Sequence, residues 1–393
     1  TYQNAVNFMV DARNYVGNVT KPARRSYSWR DDHHFAFALR SLVDPYLSNP
    51  AAYTRMPQQI TYEAPRDAAW GALTPYKESA PDIVKMIHWG ADIIVTQDLT
   101  HEMLKGELAY FLYSWPWLEP WLDAQNYAAV KAFALEHWDD STADAGYPYD
   151  QSPSDGHNLF EVKTKLGTTK GAYPPGFSIM PNILMAIVLE RERDPAAEQL
   201  RHAARAQVAW IIENLDPEDP LVTKGQRMSE NILLMSLASF KRLDPRGVPA
   251  GFDAFVSRWA DVAIRRSENL WDFRKLTDGE KWVPYVEGSK TEWNEPGNVA
   301  GFPAAALAAA NLIDDPATQD RLQQLAWAAF DNVFGRNPVG RHFSYDAPRE
   351  IEGVERGWFS YHKGGIGQLA NARFVLDGAP KDPHYPYHPE LGD

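Results

Sequence analysis

Residues 330–341 read Phe330-Asp331-Asn332-Val333-Phe334-Gly335-Arg336-Asn337-Pro338-Val339-Gly340-Arg341. The residues before this stretch place apolar side chains at helical spacing, so the stretch begins as the end of a helix. Gly335 can take the left-handed conformation that commonly ends a helix, and Pro338 prevents continuation of the helix. On local physics alone, the stretch predicts a helix over residues 316–334 and a sharp turn after it.

Helical spacing of apolar residues extends over most of the 393 residues. We predict helices over residues 2–15, 31–47, 80–97, 102–114, 125–138, 178–193, 196–215, 229–243, 250–269, 300–313, 316–334 and 364–375, and one short strand over 281–286. About twelve helices in hairpin-like pairs predict an all-α (α/α)6 toroid, whereas the helix number alone also fits an α-solenoid. We expect residues 1–393 to form one domain with long functional loops at one end.

The charge and the apolar pattern exclude two kinds of partner. The formal net charge is -13, and phosphate binding needs a basic face, so we predict no nucleic-acid partner. No apolar run reaches the roughly 18–20 residues that cross a bilayer, so we predict no membrane partner. The absence of cysteine excludes disulfides and leaves the compartment open.

Aromatic residues are unusually frequent, with 14 Trp, 18 Tyr and 17 Phe. The rings of Trp and Tyr offer a flat apolar face with a polar edge, which suits sugar rings, although large helical cores use the same residues. Several of them fall in three long connections, residues 49–78, 139–177 and 272–298. Long loops on a helical scaffold are usually functional, so these loops favour a polysaccharide or oligosaccharide as partner.

Several segments resemble glycoside hydrolase family 9, the inverting cellulase-like enzymes. Residues 335–340 match its "G-x-N-P-x-G" signature, residues 81–92 are similar to its "D-E-I-x-W-G-x-D" helix, and residues 374–380 are similar to its "L-V-G-G-P-N" segment. The resemblance implies an (α/α)6 fold, inverting hydrolysis by two carboxyl groups, and structural calcium in some members. Both catalytic motifs depart from the family: residues 28–35 replace "W-Y-D-A-G-D", and Glu390 is the one Glu after Pro380.

The densest group of reactive side chains lies where the family carries its base: Trp29, Arg30, Asp31, Asp32 and His33. One carboxylate of the aspartate pair could activate a water molecule while its neighbour orients it, with Trp29, Arg30 and His33 binding the sugar. The structural alternative is a helix cap with an ion pair. Adjacent histidines point in different directions on a helix, so we predict no metal ligand here.

A second group, Glu292, Trp293 and Glu295, precedes a predicted helix. Inverting hydrolysis needs a general acid with a raised pKa about 6.5–9.5 Å from the base. A loop Glu packed against Trp is one way to raise that pKa. We therefore predict that Glu292 or Glu295 is the acid and that Trp293 binds sugar, with helix capping as the structural alternative.

A third group combines Arg356, Trp358, Tyr361 and His362. These residues suit a sugar-binding subsite, with Arg356 helping if the substrate is anionic. They equally suit a polysaccharide lyase, in which Tyr361 or His362 removes the proton next to a uronate carboxylate.

The sequence thus predicts a glycoside hydrolase that cleaves a polysaccharide or oligosaccharide by an inverting mechanism. The alternatives are a polysaccharide lyase that acts by β-elimination and a non-catalytic carbohydrate-binding or helical scaffold protein. We predict no cofactor; structural calcium is implied by the resemblance alone, because no Asp-x-Asp-x-Asp loop is present. No signal peptide is visible in this sequence, in which an amphipathic pattern begins at Thr1. We expect a secreted or periplasmic protein, with an excised domain or a cytosolic chain as the other interpretations.

Overall fold

The computed structural model describes residues 38–58, 60, 71–100, 102–140, 159–160, 176–219, 229–275, 278, 295–334 and 336. The predicted helices over residues 2–15 and 364–375, and the predicted strand over 281–286, lie outside these residues. Within the described residues every regular element is a helix and no strand occurs, which confirms the predicted all-α class. The arrangement of the helices in a closed six-pair ring stays a prediction.

Thirteen α-helices are found among the described residues. The first seven are α1 (Ala38–Ser48), α2 (Pro50–Arg55), α3 (Asp82–Thr96), α4 (Glu102–Lys105), α5 (Leu108–Tyr113), α6 (Trp115–Leu118) and α7 (Ala124–Glu136). The remaining six are α8 (Ile179–Arg191), α9 (Ala197–Asn214), α10 (Ser229–Leu243), α11 (Phe252–Arg265), α12 (Glu295–Ala310) and α13 (Pro316–Val333). A 3-10 helix, Pro245–Gly247, lies between α10 and α11.

Most predicted helices are confirmed to within a few residues, and the differences have local causes. The predicted helix over 102–114 is divided between α4 and α5 at Gly106 and Glu107. The structure adds α2, which begins because the Asn49 side chain accepts the Ala52 N–H at 3.1 Å and Pro50 fits the first helical position. α12 begins at Glu295, before the predicted start at residue 300, because a proline in the first turn removes no intrahelical hydrogen bond.

The chain divides into two compact units. One comprises residues 1–162 and 181–204, and the other comprises residues 163–180 and 205–393. The predicted single catalytic domain over residues 1–393 stays a prediction.

The core of the first unit is built around α3. This helix is buried from Asp82 to Ile94 and packs against α1, α5 and α7. Trp89, Phe111 and Trp138 are among the largest fully buried side chains. A helix that is apolar on most of its circumference belongs inside a domain, so the polar residues of α3 must find partners there.

The core of the second unit is built around α12, which packs against α10 and α13. Small buried side chains on α12, among them Ala305, Ala306 and Ala309, let these helices approach closely. Trp259 and Phe240 fill the space beside them with fully buried rings. Among the described residues, no helix is long and apolar enough to cross a membrane.

Candidate functional site

The structure describes the surroundings of the candidate catalytic segments, and one candidate residue itself. Glu295 is the first residue of α12, and its position is described through the backbone. The other candidates lie outside the described residues: Trp29, Arg30, Asp31, Asp32, His33, Glu292, Trp293, Arg356, Trp358, Tyr361 and His362. Their roles and their mutual distances stay predictions.

A buried carboxyl group holds the start of α1, the helix that follows residues 29–34. Glu107 lies in the turn between α4 and α5, and its side chain reaches α1, where Oε2 accepts the Arg40 N–H at 2.7 Å. The Leu39 N–H also bonds to this carboxyl group. Burial raises the pKa of Glu107 to about 8, although both hydrogen bonds and the nearby Arg40 guanidinium lower it.

The guanidinium of Arg40 is paired within its own helix. Its Nε atom lies 3.6 Å from an oxygen of Asp44, one turn further along α1. Tyr110 on α5 is also close to this pair, and burial raises the pKa of its hydroxyl group. Glu107 and Tyr110 are buried, Arg40 is half-buried and Asp44 is exposed, and together they form a polar cluster at the contact between α1 and α5.

Polar side chains of α3 bind the backbone on both sides of residues 61–70. The Asp82 carboxylate accepts the Ile60 N–H at 3.2 Å, and the Lys85 ammonium donates to the Ile60 carbonyl at 2.6 Å. Burial lowers the pKa of Lys85, against the attraction of Asp82. The Asp92 carboxylate accepts the N–H groups of Gly71 at 2.8 Å and Leu73 at 2.9 Å.

Thr74 is bound by side chains from two helices of the same unit, α3 and α7. His88 Nε2 on α3 lies 2.9 Å from the Thr74 carbonyl oxygen. Asn126 on α7 accepts the Thr74 N–H at 2.7 Å and donates to its carbonyl at 2.8 Å. Both backbone groups of Thr74 are thus satisfied by buried side chains, which fixes the chain that follows residues 61–70.

In the second unit, Asp272 is bound by one arginine of α13 and by another just after that helix. Its carboxylate accepts from Arg321 at 2.7 Å and from Arg336 at 3.4 Å. Arg336 directly follows Gly335, the residue that begins the family-like signature. Asp272 adopts a left-handed backbone with φ of 51°, which asparagine and aspartate tolerate better than most residues.

The residues after Asp272 are held by arginines of α11 and by stacking on aromatic rings. The guanidinium of Arg274 lies 4.7 Å from the Phe302 ring centroid and 5.6 Å from that of Trp259. Arg265 Nε donates to Asp278 at 2.9 Å, and this bond lowers the pKa of Asp278. Residues 272–275 and 278 are therefore held by contacts within the second unit.

Comparisons with known proteins add little to this geometry. No known family model and no curated protein sequence matches the chain. Two structures of endoglucanase CelQ from Clostridium thermocellum are similar at 13% and 11% identity, with TM-scores of 0.38 and 0.37; one is complexed with cellobiose and cellotriose, the other with cellotetraose. Each match covers 77% of this chain and 53% of the CelQ chain, so this chain spans about half their length. Likenesses at this level carry no argument about fold or mechanism.

Sequence reasoning missed the residues that hold these segments. Glu107 and Asp272 had no role in the prediction, because their partners are distant in sequence. A signal did exist in α3: Asp82, Lys85 and Asp92 interrupt an otherwise apolar helix. Charged residues within an apolar helix indicate buried partners. Among the described residues, no group of three or more His, Cys, Asp or Glu could hold a metal ion.

Proposed function

We propose that this chain is a glycoside hydrolase that cleaves a polysaccharide or oligosaccharide by an inverting mechanism. The observation that carries the proposal is the aspartate pair Asp31-Asp32, set between Trp29 and two histidines and followed by α1. A helix cap alone needs neither the aromatic ring nor the histidines. In the proposed mechanism one aspartate activates water and the other orients it.

In this proposal the general acid is Glu292 or Glu295, and helix electrostatics at the start of α12 supports Glu292. Glu295 begins α12, and a position in the first turn of a helix favours the ionised form of a carboxyl group. A general acid must instead hold its proton until the leaving group takes it. Glu292 precedes α12 in the sequence and is adjacent to Trp293.

Sugar binding is assigned to side chains with aromatic or polar hydrogen-bonding character. We propose Trp29, Arg30, His33, Trp293, Trp358, Tyr361 and His362 for this role, with Arg356 neutralising an acidic sugar. A polymeric substrate also supports a secreted or periplasmic location, which stays part of the proposal.

The first test is a panel of neutral and uronate-containing polysaccharides, assayed for reducing ends and for the ultraviolet absorbance of unsaturated uronate. Reducing ends without absorbance support hydrolysis. Absorbance that rises together with reducing ends supports the alternative, a lyase with Tyr361 or His362 as base, which the Arg356-to-His362 group favours. If neither reducing ends nor absorbance appears and a polysaccharide of the panel still binds to the protein, the result supports a non-catalytic carbohydrate-binding protein.

A second test separates the acid from the base. On a substrate whose leaving group needs no proton, such as a dinitrophenyl glycoside, a variant that lacks the acid keeps most of its turnover, whereas a variant that lacks the base does not. We expect Glu292→Gln to be rescued in this way and Asp32→Asn to stay inactive. Glu295→Gln is the matched control, and rescue of that variant instead would move the acid to Glu295.

A further inference from the structure

The N-terminal turn of α1 takes its cap from another part of the chain. The N–H groups in the first turn of a helix have no carbonyl partner within the helix. Leu39 and Arg40 are the second and third residues of α1, and both donate to the carboxyl group of Glu107, which lies 67 residues after Arg40. The cap is thus a tertiary contact, and opening it would separate α1 from the turn before α5.

This carboxyl group is almost fully enclosed, with 5% of the residue exposed. Arg40 and Asp44 face it from α1, and Tyr110 faces it from α5. Polar groups that the neighbouring helices α3 and α4 bury have partners of their own among the described residues: Asp82 and Lys85 bond to Ile60, His88 to Thr74, Asp92 to Gly71 and Leu73, and Lys105 to His137.

Opposing effects act on the proton of Glu107. The two N–H groups, the positive end of α1 and the Arg40 guanidinium favour the carboxylate. Burial favours the neutral acid and prevails, so the pKa of Glu107 rises from 4.5 to about 8. A carboxyl group that reaches water has its ordinary pKa again, and opening the contact therefore releases a proton at neutral pH.

We infer that Glu107 is a proton-dependent latch: uptake of a proton closes the contact between the turn before α5 and the first turn of α1, and release of the proton to water opens it. The latch itself rests on the described contacts alone. Its bearing on catalysis rests on the proposed function, because residues 29–34, which carry the candidate base, enter α1 through only three residues, 35–37.

The sign of the pH dependence follows from linkage. The closed state binds the proton more tightly than the open state, so opening becomes easier as pH rises from about 4.5 to about 8 and then levels off. Over that window the opening constant rises by up to about tenfold per pH unit.

The test is native-state hydrogen exchange of the Leu39 and Arg40 amides in the full chain between pH 5 and 9, after division by the intrinsic exchange rate. We expect the opening constant of the wild type to rise with pH and level off near pH 8. Glu107→Gln keeps an acceptor oxygen but cannot ionise, so its opening constant should not change with pH. Glu119→Gln, at an exposed glutamate beyond α6, is the matched control and should follow the wild type.

A wild-type opening constant that does not change with pH would overturn the latch, and this result needs no variant. The same pH dependence in Glu107→Gln would also overturn it. Turnover of a cleaved polysaccharide, measured over the same pH range, tests the second step separately. If exchange behaves as expected while the pH profile of kcat is identical in the wild type and Glu107→Gln, the latch stands and the base is not positioned by α1.

Discussion

Replacement of Asp92 by alanine should remove a buried acceptor that serves two backbone donors. The carboxylate accepts the N–H groups of Gly71 and Leu73 and the hydroxyl group of Thr96, and 1% of Asp92 is exposed. A buried donor left without a partner costs about 1–3 kcal/mol, and the Leu73 N–H is such a donor. Gly71 is half-buried, so its N–H can reach water and adds less, and Asp92→Ala should lower the free energy of unfolding by about 1–3 kcal/mol. The free energy of unfolding of a typical domain is about 5–15 kcal/mol, so Asp92→Ala should remove a substantial part of it.

Urea unfolding followed by tryptophan fluorescence gives the change in unfolding free energy, and hydrogen exchange of the Gly71 and Leu73 amides localises it. Asp92→Asn keeps one acceptor oxygen and should lose roughly half as much as Asp92→Ala. Asp139→Ala changes an exposed aspartate of the same unit and should stay within about 0.5 kcal/mol of the wild type. An unfolding free energy of Asp92→Ala within that same margin would refute the anchoring role.

Further predictions concern the second unit. A Cβ atom at Gly247 would lie 2.6 Å from Arg205 Nε, so Gly247→Ala should lower the free energy of unfolding, measured by thermal unfolding, by about 1–3 kcal/mol. A Cβ atom at Gly301 in α12 would have its nearest neighbour at 3.5 Å, so Gly301→Ala should raise the free energy of unfolding by about 0.5–1 kcal/mol. Equal effects of the two variants would contradict the packing described. Arg274→Lys keeps the charge but loses the planar stacking on two rings, and should lose about 0.5–2 kcal/mol in urea unfolding. The pKa of Asp278 is lowered by its arginine partner, so this contact contributes stability that is lost as pH falls through the folded pKa. The opening constant of the Lys275 amide, obtained by dividing its exchange rate by the intrinsic rate, should therefore rise as the pH falls in the wild type and not in Asp278→Asn.

Local pattern accounts for most of the helices. The apolar spacing of residues 229–243 predicts α10 with the bounds that the structure has. It fails where proline has a positional meaning, at α2 and at the start of α12, because proline ends a helix when interior but fits its first turn. It also fails at Gly106, where two short helices replace one predicted helix.

The residues that hold the candidate segments are harder to predict, because their partners are set by the tertiary fold. Glu107 bonds to a residue 67 positions away, and Asp92 bonds to one 21 positions away. A charged residue inside an apolar helix indicates that a buried partner exists, but the sequence does not identify the backbone group that serves as this partner. The candidate catalytic residues of the sequence analysis, Glu295 apart, lie outside the described residues and stay predictions.

The polar residues of α3 contact the main chain of residues 60, 71 and 73 and not their side chains. Main-chain groups are the same whatever residue carries them, proline excepted. The hydrogen bonds from α3 therefore do not depend on which residues lie between residues 60 and 71. Foreign sequences could therefore be grafted between these two attachment points while the contacts with α3 are kept.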